Sequence, residues 1–442
     1  MASLAGFCLL VLCYMLPTGP MKRNMSQGAN AFLTEGSNFI YADGYESSIL
    51  AENTDGIMLS KTIWSSGNPV KDAVEAPMLI SSDPNATQET TLIGLLRDDP
   101  QYKDVQNYAR YWHGYLIVLK PLFCFFSFSD LRILNISCQL ILIGLTAWFM
   151  CDRGFGGYMP AFVSTMVFWN PATTGMSLQY SDCFYISLLG ICAALYFSRH
   201  REKTKTFWYV LLWCGILTSF FDFLTYPLAT LGMPLLMMLI IRRESRDVAE
   251  LQLSGGEARR EPVSIRKEMR FTVGGILSWA FGYVGMWAMK WIIGTLSGYD
   301  NVIADAVNTV LFRSSTESAD GSTGKITRIG AVAHVARTLC RPAYLFFAIV
   351  FIIALFLYFD MGVRIGKKAE KARVVRILNG RDVLEEIPVL FTAILPAVWI
   401  FFAANHSYIH VRYVFRIFGI TIFAVCTMMI HLLRKKFGYT DR

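Results

Sequence analysis

Residues 131–151 read Leu131-Arg-Ile-Leu-Asn-Ile-Ser-Cys-Gln-Leu-Ile-Leu-Ile-Gly-Leu-Thr-Ala-Trp-Phe-Met-Cys151. The run carries one charged side chain, Arg132, near its start. A helix needs about 20 consecutive, mostly apolar residues to cross the hydrocarbon of a bilayer. This stretch reaches that length, so it reads as a membrane-spanning helix. Further apolar runs lie at 2–16, 157–169, 182–197, 207–221, 225–241, 271–294, 343–363, 388–403 and 411–433. Together they make about ten spans. The fold class that follows is all-α, a polytopic bundle of transmembrane helices.

Composition agrees. The 442 residues are 54% hydrophobic and 17% charged, whereas a soluble domain carries about 25% charged residues. The net charge of +8 raises the question of nucleic acid. The basic residues, however, lie in short segments beside apolar runs, which is the bias that orients membrane proteins. Nucleic acid is therefore not expected as a partner, and membrane lipid is. Of ten Cys, none forms a C-x-x-C pair and none lies within 18–107. A disulfide framework in that loop is excluded. No Walker pattern or Gly-rich phosphate loop appears, which leaves an ATP-driven machine without support.

Lys and Arg set the orientation. Segment 198–206 carries Arg199, Arg201, Lys203 and Lys205. Loop 242–270 carries eight such residues, loop 364–387 carries seven, and the tail ends on Arg434, Lys435, Lys436 and Arg442. With the spans above, all four fall on one side, and that side reads as cytoplasm. The expectation is a multi-pass protein of the cell membrane with both termini cytoplasmic. The 2–16 run has no basic residue before it, so a retained first helix is expected; a cleaved secretory signal is the alternative. Spans two to six occupy 131–241, and spans seven to ten occupy 271–442.

The extracytoplasmic side then receives 17–130, 170–181, a turn at 222–224, 295–342 and 404–410. The first of these is polar and holds thirteen acids from Glu35 to Asp130. No periodicity before residue 105 allows it to be folded. Beyond that point Tyr108, Trp112, Tyr115, Leu119, Leu122 and Phe126 recur at helical spacing. Arg110, His113 and Lys120 share another face. This pattern predicts an interfacial helix over 107–120, ended by Pro121. The rival reading makes 108–128 a span, which would place 18–107 in the cytoplasm. A second short helix is expected over 300–312.

Ionisable groups beside a bilayer are costly and usually mark a site. Six of them, His113, Asp182, Asp222, Lys290, His406 and His410, fall where spans end on the extracytoplasmic side. In Tyr108-Ala-Arg-Tyr-Trp-His-Gly-Tyr115, Arg110 and His113 stand three apart, suited to gripping a phosphate; an aromatic interface anchor is the plainer reading. In Asn405-His-Ser-Tyr-Ile-His410 two His lie four apart, without the further ligands a metal requires. No metal is expected, and contact with phosphate or substrate is, against the plainer reading of a polar turn. Asp222 sits at the tip of a helical hairpin. Asp182 opens a span, where an acid also serves as a simple helix cap. Lys290, one turn from its span's end, suits either phosphate contact or snorkelling. Among first-loop acids, Asp55 precedes a small apolar run, which makes it the leading candidate for a general base. Asp98 and Asp99 form a pair before Pro100 that also reads as an ordinary turn.

A first span, a large acidic outer loop with an interfacial helix, and many spans with polar outer ends together resemble the GT-C class of membrane glycosyltransferases. The resemblance covers most of the chain and is architectural. It implies a polyprenyl-phosphate-linked sugar as donor and a first-loop acid as base, a role for Asp55 or else Asp98 or Asp99. The acid that this class carries soon after its first span has no clear counterpart, Glu35 and Asp43 being the alternatives. Arg110, His113, Lys290 and His406 are donor-phosphate candidates from their chemistry alone. Two rival readings stand beside the enzyme: a transporter or flippase for a lipid-linked or anionic solute, and a non-catalytic assembly subunit. Cofactor and oligomeric state are not legible. The topology predicts that Val70→Cys, in a chain cleared of native Cys, reacts with an impermeant thiol reagent on intact cells. Reaction only after lysis would reverse the orientation.

Overall fold

The computed structural model describes residues 1–102, 104–199, 203–253, 264–298, 301–317, 326–368 and 378–437. Residues 254–263 of loop 242–270, 369–377 of loop 364–387, and Asp300 lie outside them. The chain is mostly helical. Five helices are long and apolar enough to cross a membrane: Phe128–Asp152, Leu178–Arg199, Ile265–Leu296, Pro342–Asp360 and Val411–Phe437. Ala2–Tyr14 and Thr18–Ser26 add a sixth if that pair, bent by 75°, is counted as one. The ten expected crossings are thus not all matched by helices of crossing length. Met159–Trp169 has 11 residues and Ile387–Phe402 has 16, too short at about 1.5 Å per residue for hydrocarbon about 30 Å thick.

The membrane-length helices pack with shorter ones between them. Lys203–Phe221 lies along Ile265–Leu296, and two glycines permit the approach. A methyl group on Gly215 would overlap the Trp279 carbonyl oxygen, and one on Gly282 would overlap that of Leu212. Small residues bring helix backbones into contact in this way. The core is aromatic: Trp169, Tyr180, Phe184 and Tyr226 are fully buried. At one end of the bundle the basic segments converge. Arg242 binds Glu268 and Thr204, Arg243 binds Glu386, and Arg434 binds Glu244.

A folded layer covers the other end. It is the long loop that carries no readable periodicity, built of Ala29–Glu35, Glu52–Ile63, Pro69–Glu75 and Gln88–Leu96 with a small antiparallel pair of strands, Met78–Ile80 and Asp104–Gln106. Local chemistry starts these helices. Asn68 accepts from Lys71 N and is followed by Pro69 at the first helical position, while Thr87 and Thr90 form a capping box. The strand register pairs Leu79 with Val105.

The expected 107–120 helix forms only over Leu116–Phe123. Before it the chain is irregular, with His113 in the left-handed region at φ 56°. Gly114 N–H donates to the Phe220 carbonyl and Trp112 Nε1 to that of Met286. Side chains spaced like a helix face are instead inserted one by one into the protein: Trp112 and Tyr115 are buried, so they form no exposed aromatic face. The second short helix is present as Val302–Arg313, capped by Asn301.

Three lysines hold the layer, two from within it or the helix just after it and one from the bundle. Each is at most 1% exposed, and each donates to carbonyls at the end of a short helix, where backbone acceptors have no partner within the helix. Lys120 donates to Thr62 and Trp64 carbonyls. Lys61 donates to those of Ala76 and Pro77. Lys290, from the Ile265–Leu296 helix, donates to Ala73 and Val74, both at 2.9 Å. Lys290→Met removes those two bonds, and a buried carbonyl left unpaired costs roughly 1–3 kcal/mol. The variant is expected to melt several degrees lower in detergent and to be cut sooner by protease within 64–107. Unchanged melting and cleavage would show that Lys290 does not hold the layer.

Candidate functional site

The junction between layer and bundle collects most of the residues singled out from sequence. Its centre is the turn after Lys203–Phe221. Asp222 is buried, and its carboxylate accepts from Leu224 N at 2.9 Å and Thr225 N at 3.0 Å. This Asx-type turn holds Leu224 at φ 75°. Burial pushes the Asp222 carboxyl up to about 6, against the hydrogen bonds that favour its charged form. The Leu224 carbonyl then accepts from His406 Nε2 at 2.8 Å. That bond fixes the tautomer and leaves Nδ1 of His406 buried without a partner among the described residues.

His406 and His410 have ring centroids 4.8 Å apart, and His410 stacks on Tyr413 at 5.1 Å. Arg313 donates to His410 Nε2 at 3.1 Å, so that nitrogen accepts and the ring is neutral. On the other flank Arg110 lies over the Tyr108 ring at 4.4 Å and donates to Asp305 at 3.0 Å. His113 is enclosed by Tyr108, Tyr111, Tyr115 and Phe223. It donates from Nε2 to the Tyr108 carbonyl and accepts at Nδ1 from the Tyr115 hydroxyl. The two flanks meet: Tyr108 and Tyr111 lie within electrostatic reach of both Arg110 and Arg313, and Tyr413 within reach of Arg313 and Arg412. His113 and His406 border the turn directly, at Phe223 and Leu224; Arg110 lies beyond Tyr111, and His410 with Arg313 beyond His406. Arg313 and Arg412 are cations that the sequence reading passed over.

The carboxylates divide differently from expectation. Both oxygens of Asp55 accept backbone N–H groups at the start of the Leu178–Tyr196 helix, from Leu178 at 2.8 Å and Gln179 at 2.9 Å. Asp55 is that helix's cap, reaching it from the layer. Capping was the simple reading of Asp182, which the arrangement leaves free: Asp182 is half-buried, with a buried Oδ2 that has no partner among the described residues. It lies within electrostatic reach of Asp222 and Asp55. Asp98 is exposed at φ 57° and pairs with Lys22, and Asp99 accepts from Gln101 N within a turn. Lys290 is committed to the layer's carbonyls. Of the alternatives for an early acid, Asp43 is exposed, and Glu35 forms a two-pronged pair with Arg132.

Arg132 also binds Glu52 at 2.6 Å, and Asp55 is near. One guanidinium thus faces three carboxylates. Burial holds the Glu52 and Asp55 carboxyls well above the usual carboxylate range, Arg132 opposing it for both. The close Glu52–Arg132 contact does not contradict this, because Glu35 already occupies both prongs of the same guanidinium.

Comparison of the chain with family models, with curated proteins and with solved structures gave no match. What the site does has to be argued from its own geometry.

Protonation gives a test of that geometry. Burial, with Arg313 adding to it, lowers His406 to about 3. Burial, His406, Arg313 and Arg412 lower His410 to about 2. An unfolded His titrates near about 6.5. Both folded values lie below it, so the stabilisation from neutral rings is complete above that pH and is lost as pH falls beneath it. The raised carboxyls act in the opposite sense, so the comparison is with variants. Between pH 6.5 and 5 each His contributes up to about 2 kcal/mol of destabilisation. His406→Gln and His410→Gln are expected to flatten the acid side of the melting profile in detergent. An unchanged slope in both would mean the rings are already charged or exposed.

Proposed function

We propose that the chain is an integral membrane glycosyltransferase that takes its sugar from a polyprenyl-phosphate-linked donor, working at the extracytoplasmic face of the cell membrane. In this reading both termini are cytoplasmic and the folded layer is outside, in keeping with the basic segments gathered at the opposite end. The observation that carries it is one juxtaposition at the bundle's end. Cationic Arg110, Arg313 and Arg412 share aromatic surroundings at the end of the bundle that carries the Asp222 turn, and Asp182, within electrostatic reach of Asp222, has an Oδ2 that is unpartnered among the described residues.

The chemistry needs those two components. An acceptor hydroxyl attacks the anomeric carbon, the bond from that carbon to the phosphate oxygen breaks, and the phosphate leaves with the electron pair. Guanidinium groups stabilise the charge that gathers on the leaving phosphate. A carboxylate takes the hydroxyl proton. Asp182 suits that task better than Asp55, whose oxygens are both engaged at a helix end. His406, whose Nδ1 has no partner among the described residues, adds a hydrogen-bonding group, and Tyr108, Tyr111, Phe223 and Trp287 form an aromatic cluster on the other flank of the turn. Membrane lipid and the lipid-linked donor are the partners implied.

The test is sugar transfer by the purified chain in nanodiscs, alongside donor binding. Asp182→Asn is expected to slow transfer roughly 10²–10⁴-fold and to spare donor binding. Arg313→Ala is expected to weaken donor binding about tenfold or more. Transfer at the wild-type rate in Asp182→Asn would remove Asp182 as the base. A wild-type chain that neither binds nor consumes any polyprenyl-phosphate sugar would remove the enzyme reading.

A further inference from the structure

The Val302–Arg313 helix has three distinct sectors. Its packed side carries Val302 and Ala306, both buried, with Val302 seated against Gly294 of the Ile265–Leu296 helix. The side opposite carries Ala304, Asp305, Asn308 and Phe312, all exposed. Between them runs an apolar stripe of Ile303, Val307, Val310 and Leu311, which are 41%, 44%, 42% and 65% exposed. Those positions share one face of a helix. An apolar face beside a polar one, on a capped helix at the end of a bundle, is the pattern of helices that lie along a membrane surface.

The surroundings say what covers the stripe. The helix follows directly on a membrane-length helix whose last turns also present apolar side chains, Met289, Ile292 and Leu296. The connection is short and tied, because Ile303 N–H donates to the Thr295 hydroxyl. At the far end, Asn405 holds the following segment by bonds to the Ser315 and Glu317 carbonyls. The same helix carries Asp305 and Arg313, the partners of Arg110 and His410.

We propose that the Val302–Arg313 helix lies in the membrane interface with its Ile303, Val307, Val310 and Leu311 stripe against lipid, and that this contact seats Asp305 and Arg313 over the junction. The occupant of the stripe is the bilayer, because the helix is tied to the last turn of a membrane-length helix whose own end presents apolar side chains. The helix replaces in this role the 107–120 segment, whose aromatic side chains are spent inside the protein. The inference does not depend on the reaction the site performs.

Photolabelling tests it on the unmodified chain. The protein is placed in phosphatidylcholine nanodiscs containing a phospholipid with a diazirine on its acyl chain near the glycerol, irradiated, and mapped by mass spectrometry. The Pro342–Asp360 helix, with Phe346 and Ile353 exposed, is the positive reference, and the peptide around exposed Val70 is the negative one. Label on the 303–311 stripe at least tenfold above the Val70 peptide is expected. Label at the Val70 level, with Pro342–Asp360 well labelled, would overturn the proposal. So would label that disappears when two copies share a disc, since a second copy would then be the occupant. A second measurement resolves the face. Spin labels at Leu311 and at Asn308, in a chain cleared of native Cys, are expected to favour oxygen and a water-soluble nickel chelate respectively. Equal or reversed accessibility would sink the assignment.

Discussion

A helix that stops inside a protein leaves its last carbonyls without partners, and burying them unpaired is costly. In this chain three buried lysines meet that need, and the layer over the bundle depends on them. Lys61 and Lys120 belong to the layer and to the helix just after it, whereas Lys290 reaches in from a membrane-length helix. An ammonium suits the task because it brings three donors and a charge that complements the negative end of a helix. Asp55 does the converse at the start of the Leu178–Tyr196 helix, an acid from the layer meeting N–H groups of the bundle. The two halves of the molecule are joined by helix ends capped across the junction.

That principle also explains which functional expectations changed meaning. Lys290 and Asp55 stood out in sequence because charge beside apolar residues is expensive, and they are indeed where the chain spends charge. Their partners, however, are peptide groups. Among the described residues, those left with an unpartnered buried polar atom include Asp182 at Oδ2, Arg110 at Nε and His406 at Nδ1. A polar atom with no partner in the chain is a better pointer to a ligand than a charge at the end of an apolar run.

Much of the architecture was readable from hydropathy, because apolar runs near 20 residues have few alternatives to a helix. The span count was less so, since a short apolar run reads alike as a crossing and as a buried helix. The 107–120 segment misled for a related reason. Spacings of three and four between Tyr108, Trp112 and Tyr115 suit a helix face, but the φ of His113 and the hydrogen bond from Gly114 to Phe220 depend on neighbours distant in sequence. The layer was opaque because its register is set by contacts such as Arg132 with Glu35 and Arg412 with Asn38. Arg313 and Arg412 left a signal that went unused. Cations far from the basic segments run against the orienting bias, and that is a reason to ask what anion they meet.

The tie from Lys290 has a consequence for how the molecule is made. Ala73 and Val74 precede it by 217 and 216 residues, so the layer leaves the ribosome long before the side chain that completes it. During synthesis the Pro69–Glu75 helix has open carbonyls and no lysine from the Ile265–Leu296 helix to close them. Contacts so remote in sequence form late, after the chain between them has been ordered. The part of the protein that is translated early is therefore among the last to become rigid, and its integrity reports on whether the seventh apolar run has been inserted in its proper place.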